Sequence, residues 1–228
     1  SKEKKYSVEF ISKESSSIFF SENIITILKI FDYLPVDELI VNQLVGYYEL
    51  ENLLLRLFCI KQNKNVKFVM NIRDFYIICP SFNLMDKYNN FCYGGNLSKC
   101  CDCFPSLFSE IDIDLIRCCT TVMDWRRMWN DFLLGVDEIN VFSKFTFNTV
   151  KNFYPDLVKL DKLKVDKIKI DYIRPVEIKN HIKNKVITIG VIGAITKVKG
   201  GAILFQMAEI INKNKMKNVR IKIFGTIN

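Results

Sequence analysis

The chain has 228 residues, 49% of them hydrophobic and 25% charged, with only nine Gly and five Pro. That composition excludes a disordered or fibrous chain and supplies a sizeable core for one or two domains. The net charge is +8, but residues 159–228 alone hold 16 Lys/Arg against 5 Asp/Glu. Such a basic block attracts anions, whether nucleotide phosphates, a lipid surface or nucleic acid. Heavy use of Lys, Asn and Ile throughout the chain accounts for the same count without any partner. The chain begins at Ser1 with no basic-then-apolar leader. Its longest apolar runs, such as Val186 to Ile195, fall short of a bilayer span. The expectation is a cytoplasmic protein.

In chain order, residues 1–22 are polar and Ser-rich, with Tyr6 to Ile11 as a short edge strand. Asn23 to Tyr33 has helical spacing. Leu39 to Val45 reads as a buried strand that Gly46 breaks. Glu49 to Ile60 follows as a helix with Leu53, Leu54, Leu57 and Phe58 on one face. Val66 to Asn71 is a second short apolar run. This β-α-β rhythm predicts a parallel sheet with crossover helices. Residues 72–110 interrupt it as a long insertion rich in Cys, Asn, Gly and aromatics.

Asp114 to Leu134 resumes as a helix. Trp125, Trp129, Phe132 and Leu133 fall at i, i+4, i+7 and i+8, a core stripe that leaves Arg126 and Arg127 pointing elsewhere. Cys118 and Cys119 are expected to pack within that helix. Glu138 to Phe142 is a strand, and Ser143 is placed to cap a helix through Phe153. Residues 156–166 read as a charged connector and Lys167 to Ile173 as a strand. The Pro-bearing polar stretch 174–185 reads as a linker. Beyond it, a strand (Val186 to Ile192), a loop, a helix (Gly200 to Ile211) and a strand (Val219 to Phe224) make one βαβ unit.

Three places carry chemistry. In the loop from Gly193 to Gly201, free amides at the helix start and the side chain of Lys199 suit a phosphate. The loop lacks the Gly-Lys-Ser/Thr ending of a Walker loop, and an ordinary strand-to-helix turn gives the same pattern. Arg73 and Asp74 follow the strand from Val66, at the carboxyl end of the sheet where α/β proteins bind ligands. There Arg73 suits a phosphate and Asp74 a hydroxyl; a surface ion pair is the other reading. The third place is the set Cys79, Cys92, Cys100 and Cys103, spaced C-x12-C-x7-C-x2-C. Its final pair has the spacing at which two thiolates grip one Zn²⁺, and a loop with little core gains from such a staple. Structural zinc and reduced, buried thiols both remain open. His181, in the linker, is the only histidine, so mechanisms built on His as base or on several His ligands are strained.

Taken in order, DELIVNQLVG, VMNIRDFYIICPSFNLMD, FCYGGNLSKCCDCF, WRRMWNDFLLGVDEINVFS and ITIGVIGAITKVKGGAILFQMAEI resemble one group of family-four glycosyltransferases. The set is specific through its order, over roughly residues 37–226. The resemblance implies an α/β protein of GT-B type, two facing Rossmann-like domains. Residues 1–178 would be a partial N-terminal, acceptor-side domain with the Cys-rich insertion at 72–110. Residues 179–228 would be the opening of the nucleotide-sugar-binding domain.

The resemblance further implies transfer of a sugar from a nucleotide-sugar donor to a glycan or lipid-linked acceptor in polysaccharide synthesis. Donor phosphates would lie on Gly193, Ala194, Lys199 and Gly200, with Arg73 and Asp74 as the catalytic pair. Ala194 stands where many relatives have Arg, and Arg73 where many have His. The late Glu-bearing donor motif of the family is missing, so the 228-residue chain is expected to be inactive alone. The mechanism it implies uses no catalytic cofactor and no nucleic acid. It is consistent with a peripheral position at the inner face of a membrane. The alternative is a non-enzymatic, zinc-containing module whose basic tail binds nucleic acid.

Overall fold

The computed structural model describes residues 6–109, 119–167, 186–196 and 199–226. The chain divides into two compact units, Ser1–Ile168 and Lys169–Asn228. The expected linker 174–185, the boundary at 178/179, His181, Cys118 and all but the first residue of the strand expected over Lys167 to Ile173 lie outside the described residues.

The first unit opens with an antiparallel hairpin, β1 (Tyr6–Ile11) against β2 (Ser16–Ser21). Helix α1 (Ile24–Leu28) begins where the Asn23 side chain accepts the amide of Ile25 at 2.7 Å, and a 3-10 turn extends it over Lys29–Asp32. Next come β3 (Glu38–Val41), α2 (Leu50–Lys64) and β4 (Lys67–Ile72). Helix α3 (Leu97–Cys103) lies in the insertion. Helix α4 (Val122–Gly135), β5 (Glu138–Val141), α5 (Lys144–Phe153), the short α6 (Asp156–Lys159) and β6 (Leu163–Val165) complete the unit.

Strands β3, β4, β5 and β6 form one sheet in that order, every pair parallel. The β-α-β reading therefore holds, and the sheet gains a strand from what reads in sequence as a connector. Leu163 is the reason: it is buried beside Ile139, while its neighbours Lys162 and Lys164 disguise the strand. Strand β3 is shorter than its apolar run, because the chain leaves the sheet at Asn42. Helix α4 starts at Val122, and residues 114–118 of the helix expected from Asp114 lie outside the described residues. Thr121 caps it, accepting the amide of Asp124 while the Asp124 carboxylate takes the amide of Thr121. This reciprocal cap fixes the start at Val122, so the buried Cys119 precedes the helix instead of packing within it.

The core lies between the sheet and its helices. Leu50, Leu53, Leu54, Leu57 and Ile60 of α2 face it together with Trp125, Trp129 and Leu133 of α4. Full burial of each such aliphatic side chain contributes on the order of 1.5–3 kcal/mol. Asp137 ties the layers at their amino-terminal edge: its carboxylate accepts the Phe68 amide at 2.8 Å and the Lys61 ammonium at 2.5 Å.

In the second unit, β7 (Ile187–Ile192) pairs in parallel with β8 (Val219–Phe224), and α7 (Gly201–Lys213) is the crossover. Ile192, Ile203 and Phe205 are exposed. Among the described residues, no helix is long and apolar enough to cross a membrane.

Candidate functional site

Parallel strands direct their carboxyl ends, and the loops that follow, to one edge of the sheet. At that edge an amide row crosses three strands. Asn71 Nδ2 donates to Asn42 Oδ1 at 2.9 Å, and Asn140 Nδ2 donates to Asn71 Oδ1 at 3.2 Å. The strand register sets the second bond, since Asn71 and Asn140 are paired across β4 and β5. Next to this row, Gln43 Nε2 donates to Asp74 Oδ2 at 3.1 Å, and the Tyr76 amide donates to Asp74 Oδ1 at 2.9 Å. Both oxygens of Asp74 are thus oriented. Burial nevertheless pushes its carboxyl above the ordinary range, against the two hydrogen bonds. Arg73 is exposed, its guanidinium 5.3 Å from the Phe142 ring centre. Asn42, Gln43, Arg73, Asp74 and the fully buried Trp129 line one small cleft. Sequence order singled out Arg73 and Asp74. It missed Asn42, Gln43 and Asn140, although Asn42, a polar residue one step past the apolar strand β3, carries a signal for this edge.

The loop after Asp74 is unusual in being apolar and buried: Tyr76, Ile77 and Ile78 are all 3% exposed or less. Buried carbonyls require partners, and three successive ones get them from distant side chains. Trp125 Nε1 donates to Tyr76 O at 2.8 Å, Tyr154 Oη to Ile77 O at 2.5 Å, and Arg126 Nε to Ile78 O at 3.1 Å. Arg126, expected to point away from the core, turns inward to do this. It also stacks on Phe153, with 4.5 Å from guanidinium to ring centre. Arg127 stays exposed beside Asp124. Helical periodicity does not report the difference, because a long guanidinium reaches around the helix edge to a carbonyl that only the folded loop presents.

The insertion brings the four singled-out cysteines together. Cys79, Cys92, Cys100 and Cys103 line a single cavity with Arg126 on its wall. Cys59 and Cys101 are exposed, and Cys119 is buried outside this cavity. Burial pushes the thiols of Cys79, Cys92 and Cys103 up. Among the described residues, no three His, Cys, Asp or Glu side chains are already drawn together as a metal-binding group.

In the second unit, the loop singled out after β7 is described except for residues 197 and 198. Gly193 donates its amide to Phe224 O at 3.0 Å, and Ile195 donates to Thr226 O at 2.7 Å. The amides of Lys199 and Gly201 are engaged with the Thr196 carbonyl, at 3.1 and 3.0 Å. Two of the helix-end donors expected for a phosphate are therefore held within the turn. Gly200 caps α7 in the left-handed conformation, and the Lys199 side chain is exposed. Ala194 is half-buried. These four residues lie in one unit, while Arg73, Asp74 and the cysteines lie in the other.

Comparison of the chain with protein-family models and with curated proteins finds no match.

Proposed function

We propose that the chain is part of a family-four glycosyltransferase of GT-B type. In this reading the first unit is its acceptor-side domain, and the second supplies the opening βαβ unit of the donor-side domain. The observation that carries it is the small cleft at the carboxyl edge of a parallel sheet, where Asp74 is held on both oxygens beside Arg73. The ordered sequence resemblance over residues 37–226 supports the same reading.

The reaction moves a sugar from a nucleotide diphosphate to an acceptor hydroxyl of a glycan or lipid-linked glycan. Asp74 accepts a hydrogen bond from that hydroxyl or from the sugar. Its raised carboxyl makes it a better base than a free carboxylate. Arg73 stabilises negative charge on the leaving diphosphate, a role in which a single donor is worth several kcal/mol in a dry site. In the second unit, the exposed Lys199 and the loop residues Gly193, Ala194 and Gly200 are the candidates for contact with the donor phosphates.

The test is a transfer assay over a panel of nucleotide sugars, using the chain extended through a complete second domain. Asp74→Asn should lower kcat roughly 10²- to 10⁴-fold with a small change in donor KM. Arg73→Ala should lower kcat/KM. Wild-type rates from Asp74→Asn, or no turnover of any nucleotide sugar by the extended chain, would overturn the reading.

A further inference from the structure

Cys79, Cys92, Cys100 and Cys103 all line one cavity of the insertion. Arg126 Nη2 lies 3.3 Å from Cys100 Sγ, and Cys79 Sγ lies 3.4 Å from Ser81 Oγ. After Cys92 the backbone turns through Tyr93, Gly94 and Gly95, all with positive φ. Four thiols on the wall of one small cavity, with a guanidinium beside them, are a ligand set that suits one Zn²⁺.

We infer that Cys79, Cys92, Cys100 and Cys103 bind one Zn²⁺ as four thiolates, closing the insertion over the loop that begins at Asp74. The inference does not rest on the transferase reading. Coordination releases four thiol protons to solvent and forms four zinc–sulfur bonds, leaving a site of charge −2. Arg126 and Lys99, on the cavity wall, offset that charge. Asp86 lines the cavity too, with its Oδ1 engaged by the amides of Tyr88 and Asn90 at 2.9 and 2.8 Å. The thiol of Cys100 now donates to Gly94 O at 2.9 Å. When that proton leaves, Arg126 Nη2, already 3.2 Å from the same oxygen, keeps it satisfied.

The position of the site explains its use. Each end of the insertion carries ligands, Cys79 near its start and Cys100 and Cys103 in α3. A metal between them closes a loop that otherwise depends on few buried side chains, and that closure stabilises most where a long segment is tied.

The experiment measures metal in the 228-residue chain purified under reducing conditions. The expected result is about one zinc per chain, with sulfurs at about 2.3 Å by X-ray absorption. Cys92→Ser and Cys103→Ser should each lower zinc content at least several-fold, while Cys59→Ser and Cys101→Ser leave it unchanged. Should the ligand variants fail to fold, cobalt(II) loaded into the wild-type chain decides the matter by giving the absorption of a tetrahedral thiolate site. Wild-type protein without zinc that also fails to take up cobalt overturns the inference. So does a thiol count showing the four cysteines paired as two disulfides, or zinc content that survives both ligand variants.

Discussion

The indole Nε1 of Trp125 donates to the carbonyl oxygen of Tyr76 at 2.8 Å, joining residues 49 positions apart inside the core. Tyr154 and Arg126 make the equivalent bonds to the next two carbonyls. The apolar loop that presents Asp74 is therefore held by hydrogen bonds from two different helical segments as well as by packing. An unpaired buried carbonyl costs about 1–3 kcal/mol. Trp125→Phe and Tyr154→Phe keep most of the ring volume and remove only the donor. Each is expected to lower unfolding free energy by about 1–3 kcal/mol in urea titrations. The double variant should depart from additivity, because adjacent carbonyls share one loop. Wild-type stability in both single variants would mean that the loop is held by packing alone.

Gly94 sits where this loop system meets α5. Its φ is +84°, and a Cβ there would stand 2.4 Å from Phe153 Cζ. Gly46 has nearly the same φ, +87°, with nothing within 4 Å of its Cβ. The pair separates backbone strain from steric conflict. Gly46→Ala should cost about 1–2 kcal/mol, the ordinary penalty of a left-handed residue with a side chain. Gly94→Ala should cost about 1–3 kcal/mol more, as Phe153 shifts and loses its contact with Arg126. Equal costs in thermal or urea melts would show that the ring moves freely.

Much of this architecture is legible in the residues, and the limits have physical causes. Apolar periodicity finds α2, α4, β4 and β5, because each buries one face or both against a single core. The Ser143 cap is visible for the same local reason: its side chain accepts the Thr146 amide at 3.0 Å. Strand β6 is hidden, since a three-residue edge strand whose one buried residue, Leu163, sits between two lysines shows no period. Among the candidate site residues, Arg73 and Asp74 stand out by their place after a strand, and the four cysteines by their spacing. Arg126 and the amide row Asn42–Asn71–Asn140 are not. Their partners are fixed by sheet register and by a folded loop, neither of which leaves a mark within a short window of sequence.

Acid should weaken the first unit through Asp137. Burial raises its pKa, but the Lys61 ammonium and the Phe68 amide outweigh that, and the net effect lowers the carboxyl below its ordinary 3.8. A carboxyl depressed in the folded state contributes stability above its unfolded pKa, and this is lost as pH falls through the folded one. The loss attributable to Asp137 therefore begins near pH 3.8 and continues below it. Asp137→Asn should be less stable than wild type at neutral pH, with the gap narrowing below pH 3.8. Melting temperatures of both proteins across an acid series check this. A gap that stays constant with pH would assign the effect to packing and not to charge.

The last prediction concerns the loop proposed to face the donor phosphates. Gly193 and Gly225 bring two backbones into near contact after β7 and β8. A Cβ on Gly225 would stand 2.1 Å from Gly193 O and 2.6 Å from Gly193 C. Both atoms are backbone, so no side-chain rotation relieves the conflict. The chain must separate there, and it carries the bonds from Gly193 to Phe224 O and from Ile195 to Thr226 O. Gly190 provides the comparison on the same strand, since a Cβ there meets only Phe224 Cε2 at 3.9 Å, an ordinary contact. Gly225→Ala should increase amide exchange at Gly193 and Ile195 by roughly 10-fold or more, corresponding to at least about 1.4 kcal/mol of local opening. Gly190→Ala should leave those amides near wild type. In the extended chain, the same Gly225→Ala change should weaken donor binding more than acceptor binding, because it displaces Gly193 and Ala194 and leaves the first unit untouched. If donor and acceptor binding fall together, or neither changes while exchange rises, the loop is structural and the donor phosphates lie elsewhere.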